Sequence, residues 1–533
     1  MFENVLKIAT WGVGLFLFSS HSFALTPTQD SAQNNAYVFI ENNIDKEYFI
    51  APDDIDPRFS GANVWTKHGK TRQVSLGYMG RYLWLRDKRN VDMWIDNSFA
   101  NGPFNGVRCN KGRECPEQGF ISPTFIDSQG FYKAATGSGL DGGGYGFASF
   151  SANAYEAFKS APVGSSYTSI LNWCVTQENY DPTMGERCKN ANTGQWRKMD
   201  FTHNKIGHIS LNDTRGASEI WVATDGTPFL IDNSQFCEHS VVTGLDGVIC
   251  KMLNYNYKKS ADPKVSLKFN VIVDKTILAF TPLSSQLKIS GDKVHWHGYG
   301  VKTSIKEFFT PGSNYIYMFF SKSFFKELVK KGGTINSRDS IFTFNFDNEN
   351  LPESGFYQFS TSTSIDVIPR EYGISVRPEE ESKGLQSGVI GSNRSIDFNY
   401  LVTLSSPKMA QTVTAQVRGS SLNKNGQNFC AFQPSDKSYD VLIPSYLSYT
   451  KTNGILEKIR NGCGDVPINI TNAAWDQLPW DSQQSGYFFS TPLKLSFPMH
   501  ENVSRLTESG QNWEGTVYAE GDVKVRAEWI GVP

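Results

Sequence analysis

Residues 513–529 read Trp513-Glu514-Gly515-Thr516-Val517-Tyr518-Ala519-Glu520-Gly521-Asp522-Val523-Lys524-Val525-Arg526-Ala527-Glu528-Trp529. Trp513, Gly515, Val517 and Ala519 alternate with Glu514, Thr516 and Tyr518. After Glu520-Gly521, Val523, Val525, Ala527 and Trp529 alternate with Asp522, Lys524, Arg526 and Glu528. Period-two alternation on both sides of a two-residue, glycine-containing turn predicts an antiparallel hairpin with one apolar and one charged face. The second strand stops four residues before Pro533, so its outer edge is expected to lack a later strand to pair with. An unpaired edge beside an apolar face is a template for a strand from another chain.

Upstream of the hairpin, Ile396, Phe398, Tyr400 and Val402 alternate with Asp397, Asn399 and Leu401, a first strand. Residues 413–417, 487–489 and 493–497 continue the series of short strands. Residues 375–533 therefore read as an incomplete immunoglobulin-like sandwich whose strands follow a charged, Pro- and Gly-containing linker at 377–384. Residues 263–374 hold no cysteine and carry strand signals at 265–273, 315–320, 341–346 and 356–360. One helix is expected over 323–331, stopped by Gly332-Gly333; a small middle sandwich fits. Residues 37–262 are short aromatic and β-branched runs (37–40, 82–85, 93–95, 167–175, 220–223) broken by Gly, Asn, Asp and Pro. A single helix is expected at 152–159, ended by Pro162. The fold class is all-β, in tandem sandwich-like domains.

The N-terminus addresses the chain. Lys7 precedes an apolar run at 8–18, and Ser22-Phe23-Ala24 sets small residues at a cleavage site, so residues 1–24 read as a secretion signal. Residues 25–36 are polar and without alternation, which predicts a flexible leader. The eight cysteines all lie beyond the signal, an even count that implies disulfides in an exported protein. Their sequence-local grouping predicts the pairs Cys109 with Cys115, Cys174 with Cys188, Cys237 with Cys250, and Cys430 with Cys463. No C-x-x-C occurs, which disfavours zinc and thioredoxin-like chemistry. The chain has 533 residues, 20% charged and 13% aromatic, with a formal net charge of −2. Such a balance argues against nucleic-acid binding through phosphate contacts.

The motifs that carry chemistry elsewhere are weak here. Gly137-Ser138-Gly139-Leu140-Asp141-Gly142 matches G-x-G-x-x-G, yet Gly143, Gly144, Tyr145, Gly146 and Phe147 follow where a helix would be needed, so a loop is expected. Gly69-Lys70-Thr71 ends like a P-loop, but Val64 stands where the first glycine belongs. His295-Trp296-His297 puts two imidazoles on one face of an expected strand with no recognisable acidic or thiol ligand beside them. Asp53, Asp54 and Asp56 around Pro52 and Pro57 are turn composition rather than a calcium loop. No catalytic residue, metal site or cofactor is expected. Trp65, Trp84, Trp94, Trp173, Trp196 and Trp221 enrich the first domain; core positions are expected for most, and exposed ones would stack on sugar rings.

Several separate stretches resemble one family. They are Tyr37-Val38-Phe39-Ile40-Glu41-Asn42-Asn43, Asp56-Pro57-Arg58, Gly61-Ala62-Asn63-Val64-Trp65 and Ser75-Leu76-Gly77-Tyr78, together with Pro162-Val163-Gly164-Ser165-Ser166, Cys250-Lys251-Met252-Leu253-Asn254-Tyr255 and Pro352-Glu353-Ser354-Gly355-Phe356-Tyr357. In register from about 37 to 530, they are similar to the fimbrial tip adhesins of the common pilus, the EcpD-like subunits. The resemblance implies a non-enzymatic subunit of a chaperone–usher pilus, exported through the periplasm to the cell surface. It would have an adhesive N-terminal region and a C-terminal pilin domain, and would serve host attachment and early biofilm formation. The implied partners are a periplasmic chaperone, an outer-membrane usher, the major pilin, and a receptor on a host or abiotic surface, a glycan among the candidates. In that family a pilin domain lacks its last strand and borrows one from a partner. Applied to the alternation seen here, the groove would lie between Ile396, Phe398, Tyr400 and Val402 on one side and Val523, Val525, Ala527 and Trp529 on the other. Residues 25–36 offer almost none of the apolar alternation of a donor strand, so the chain should accept a strand but donate poorly, which fits a fibre tip, with self-polymerisation through another segment as the alternative. Two alternatives are a secreted glycan-active hydrolase with a C-terminal binding module, and a structural fibre adaptor without a receptor.

Overall fold

Tyr37-Val38-Phe39-Ile40 shows no alternation because both of its faces are buried. In the computed structural model this run lies in the strand Gln33–Asn42, flanked by Gln195–Asn212 in parallel and Tyr48–Pro52 in antiparallel. Tyr37 and Phe39 point into one core with Met93, Phe131 and Phe201. Val38 and Ile40 point into a second with Leu211, Cys250, Phe269 and Phe320. The structure describes residues 24–531 apart from 54–58, 65–66, 69–72, 81–88, 110–115, 117, 137–146, 215–217, 231–235, 263–266, 332, 334, 337–338, 349–355, 364, 380–384, 481 and 484. The secretion signal (but for Ala24), the expected strand at 82–85, the Gly-rich loop at 137–142, Gly69-Lys70-Thr71, Asp54, Asp56, Cys115, Trp65 and Trp84 lie outside the described residues.

Around the first core, Pro123–Ile126, Gly130–Thr136, Arg89–Asp96, Ser166–Thr176 and Gln195–Asn212 pair successively, all antiparallel. The helix Ala152–Ser160 seats Ala154, Tyr155 and Phe158 on this core and starts at Ser151, whose side chain accepts from the Ala154 amide. Its last carbonyls, of Phe158 and Lys159, receive the Lys205 ammonium at 3.0 and 2.7 Å, which satisfies otherwise orphaned acceptors at the negative end of the helix.

The leader expected at 25–36 is instead tied down. Thr28–Gln29 pairs in parallel with Arg197 and Lys198, the Leu25 amide donates to the Lys189 carbonyl at 3.0 Å, and Asp30 meets Arg197 at 3.1 Å. A sheet edge binds backbone through its own amides and carbonyls, so a polar segment can add to it without any apolar pattern.

The expected division at 262/263 also moves. Ile220, Val222, Cys237, Val248 and Cys250 share one core with Leu267, Phe269, Phe320 and Phe344. Leu245–Lys259 pairs with Cys237–Val242 and Tyr315–Ser321, so a cut at 262 would split one packed unit. The helix Lys322–Lys330, capped by Ser321, buries Phe324, Phe325 and Leu328 in that unit. Disulfides join Cys174 to Cys188, Cys237 to Cys250, and Cys430 to Cys463; Cys109 is also disulfide-bonded.

The third core is a sandwich of two facing sheets, with a small third sheet, Ser421–Lys424, Gln427–Phe432 and Val441–Ile443, adding Cys430, Val441 and Ile443 to it. Of the two facing sheets, one runs Gly373–Pro378, Ser395–Ser406, Tyr487–Pro498, Tyr446–Thr450, Leu456–Arg460; the other runs Ile468–Asn469, Thr412–Gly419, Gly521–Glu528. Val402, Leu404, Val413, Ala415, Leu447, Leu493 and Leu495 fill the space between. The segment expected to link this sandwich to the middle unit is partly inside it, since Arg377 and Pro378 end its first strand.

Candidate functional site

The strand Gly521–Glu528 forms as its alternation predicts, but its partner is not the stretch immediately before it. It pairs with Thr412–Gly419, matching Val523 to Val417, Val525 to Ala415 and Ala527 to Val413. Apolar residues thus meet directly across the ladder and point together into the core. Residues 513–519 form no strand. Gly515 takes φ +111°, a conformation that interrupts an extended run and suits glycine, and only an isolated bridge from Tyr518 to Gln433 remains. The hairpin is therefore replaced by a pairing with a strand some hundred residues upstream.

The open edge survives that correction. Among the described residues, Gly521–Glu528 pairs on one side only. Across the sandwich, Ser395–Ser406 is paired along its whole length with Tyr487–Pro498, whereas its other side meets Gly373–Pro378 only from Tyr400 to Ser405. Between the unpaired start of Ser395–Ser406 and Gly521-Asp522 at the start of the other strand lies a cavity of about 540 Å³, walled by Phe398, Tyr400, Val417, Phe432, Leu495 and Phe497. The Cys430–Cys463 bridge lies in the same wall. At the rim Arg418 and Asp522 approach to 3.7 Å. Burial would raise the Asp397 carboxyl, but bonds from Lys494 at 2.7 Å and from Ser395 hold it below the usual carboxylate range, so it stays charged beside the opening.

Of the eight residues assigned to the groove, three line the cavity and five do not. Ile396, Phe398 and Tyr400 are half-buried and line the cavity. Val402 is fully buried, because Val376 of the strand Gly373–Pro378 lies directly beside it; it is core, not groove. Val523, Val525 and Ala527 are half-buried along the open edge, while Trp529 turns into the closed end, its ring 5.6 Å from Tyr372. Sequence reasoning missed the rest of the wall: Leu495 and Phe497 stand directly beside Phe398 and Ile396 in the same sheet, Val417 comes from Thr412–Gly419, and Phe432 from Gln427–Phe432, a strand the pattern had not shown.

The other singled-out residues are structural. Trp94, Trp173 and Trp221 are buried; Trp196 is half-buried, with its indole N–H donating to Asn172 Oδ1 at 3.1 Å. His295 does not share a strand face with His297: it sits in the bend before the two-residue strand His297–Gly298. Its Nδ1 lies 2.7 Å from Asp292, which raises its pKa, and Asp292 is the acidic neighbour the sequence pattern hid. Among the described residues no group of three His, Cys, Asp or Glu could hold a metal ion.

Three family models cover the chain: the E. coli common pilus adhesin EcpD N-terminal domain at residues 25–209, its middle domain at 213–364, and the EcpD C-terminal domain at 371–527. The chain belongs to the EcpD family of common pilus adhesins. Fimbria adhesin EcpD of Escherichia coli O157:H7 and of strain K12 are each 33% identical to it over 521 residues, 95% of both chains. As a member of the EcpD family the chain is a fimbrial adhesin of a surface pilus and not an enzyme, which displaces the hydrolase alternative. The family division at 364/371 falls near the connection between the middle unit and the sandwich, whereas that at 209/213 falls at the end of Gln195–Asn212, a strand that serves both of the first two cores. Among solved structures it is similar to the CsuC-CsuE chaperone–tip adhesin subunit complex of Acinetobacter baumannii (TM-score 0.18, 10% identity, covering 59% of this chain and 98% of that one). It is likewise similar to the CupB6 tip adhesin of Pseudomonas aeruginosa (TM-score 0.17, 10% identity, 61% and 94%). Those likenesses are too distant to add to the EcpD assignment.

Proposed function

We propose that this chain is the tip subunit of a chaperone–usher pilus, joined to the fibre by a strand that the next subunit lends to the edge of Gly521–Glu528. The observation that carries this is the one-sided pairing of that strand above an apolar-walled cavity. A borrowed strand would satisfy the free backbone edge and bury Ile396, Phe398 and Tyr400 together with Val523 and Val525. Before assembly a periplasmic chaperone fills the same place and an outer-membrane usher exchanges it for the major pilin. Tip position is supported at the other end, where residues 28–42 are bonded into the chain's own sheet and are not free to serve another subunit. The units ahead of residue 370 then carry the receptor surface, for a host or abiotic surface, glycans included, and for early biofilm.

The test uses residues 371–533, expressed in a periplasm alone, with the cognate chaperone, or with a peptide of the major pilin N-terminus. Solubility and thermal unfolding are followed. Instability alone, with rescue by either strand donor, supports the proposal. A segment that folds well alone and gains nothing from either donor refutes it.

A further inference from the structure

Three residues, 370–372, separate the last strand of the middle unit, Ile365–Pro369, from the first strand of the C-terminal sandwich, Gly373–Pro378. So short a connection would still allow bending, but a buried ring cluster spans it. Trp221 of the middle unit meets Phe488 of the sandwich edge-to-face at 5.4 Å, with Trp480, Phe229 and Ile368 packed around them. The Arg370 guanidinium lies between the two units, 4.6 Å from the Phe229 ring and 4.3 Å from the Trp480 ring. Ser375 donates to the Glu219 carboxylate, and the Trp480 indole donates to Ser405 Oγ at 2.9 Å. A Cβ on Gly373 would come within 2.6 Å of the Trp221 ring, so the sandwich approaches as closely as glycine permits.

The last residue of the connection reaches further. Tyr372, held at φ +57°, sets its ring edge-to-face against Trp529 at 5.6 Å. Trp529 follows directly on the groove-edge strand and is itself fixed by bonds from its indole N–H to Ser406 Oγ and the Lys408 carbonyl, each at 3.1 Å. The strand on which the fibre would pull is therefore in ring contact with the connection that carries the middle unit.

We infer that the joint is a clamp set by the groove's occupant. A strand seated on Gly521–Glu528 holds Trp529 against Tyr372 and fixes the middle unit at one angle to the sandwich. This rests on the strand-accepting groove proposed above. An edge strand with one hydrogen-bonded neighbour frays more readily than one with two, so adding the second neighbour stiffens whatever the strand end touches. The partner that joins the adhesin to its fibre thereby also aligns the adhesive units with the pull.

The test is carried out on the full chain from residue 25. Spin labels at Val294→Cys and Val466→Cys, exposed sites in the middle unit and the sandwich, report the distance distribution between them with and without the major-pilin peptide. The peptide is expected to narrow the distribution. In Tyr372→Ala the peptide should bind with affinity within threefold of the parent while the narrowing is lost; Tyr372→Phe, which keeps the ring, should restore it. Arg370→Ala should broaden the distribution in either condition. If the peptide raises the unfolding temperature yet leaves the distribution of the parent chain unchanged, the clamp is wrong and the groove stands. If the peptide neither binds nor stabilises, both fall.

Discussion

Removing the Phe398 ring should have two different consequences, one for the isolated chain and one for its complex with a strand. Phe398 is half-buried in the wall of the 540 Å³ cavity. A fully buried Phe→Ala change costs about 3–5 kcal/mol, so at half burial Phe398→Ala should cost the free chain about 2 kcal/mol. With a donor strand over the cavity the same ring becomes core, and the cost rises to about 4 kcal/mol. The difference, about 2 kcal/mol, is lost from binding and corresponds to roughly 30-fold weaker affinity.

Val402 supplies the control. It sits on the same strand but is already fully buried beneath Val376. Val402→Ala should cost about 2 kcal/mol with or without a partner and leave affinity unchanged. Denaturant unfolding of the full chain from residue 25, read at the transition of the C-terminal sandwich, with titration of the pilin peptide by calorimetry, separates the two. If Phe398→Ala costs about 4 kcal/mol in the free chain and leaves the affinity within threefold, the ring is ordinary core and the cavity is not a binding groove.

Two further outcomes can be checked on the same protein. His203 lies among the rings of Tyr37, Phe59, Phe99 and Phe158, and burial lowers its pKa to about 4. It is neutral in the fold and takes up a proton near pH 6.5 once unfolded. Stability should therefore fall by about 3 kcal/mol as the pH drops from 6.5 to 4, and His203→Phe should flatten that loss in urea titrations. The Cys430–Cys463 bridge closes a separation of 33 residues, so replacing both by serine should cost about 4 kcal/mol in urea unfolding. Because both cysteines also line the cavity, the pilin peptide should bind more weakly to the same variant.

What the sequence disclosed was the strands; what it hid was their neighbours. Val523, Val525 and Ala527 announce an amphipathic strand through alternation alone, and Ser151 and Ser321 stand at the starts of the helices they cap. Alternation does not say which other strand supplies the matching face. The stretch at 513–519 offered a nearer alternation than Thr412–Gly419, and only the φ +111° of Gly515 spoils it, a property of the folded backbone. The groove was legible by half for the same reason: Ile396, Phe398 and Tyr400 share a strand, but Val417, Phe432, Leu495 and Phe497 come from three others. Residues 28–29 show a second limit, since parallel edge pairing through backbone amides leaves no signature in side-chain pattern.

The run Tyr37-Val38-Phe39-Ile40 leads to a final prediction about how the adhesive part unfolds. Alternate side chains of one strand complete two cores, and Gln195–Asn212 does the same along its length, with Met199 and Phe201 in the first and Ile209 and Leu211 in the second. Neither core can lose this wall and keep its packing. A fragment ending at residue 262 retains Val38, Ile40, Leu211 and Val248 but loses Leu267, Phe269, Phe320 and Phe344 that cover them. Each such large apolar side chain left uncovered forgoes about 1.5–3 kcal/mol, and four together, about 6–12 kcal/mol, are comparable to the whole stability of a typical domain. Residues 25–262 should therefore aggregate or unfold without cooperativity, whereas residues 25–369 should melt in one calorimetric transition, separate from that of the C-terminal sandwich. A 25–262 fragment that melts cooperatively at the temperature of the longer chain would show that the shared wall does not couple the two cores.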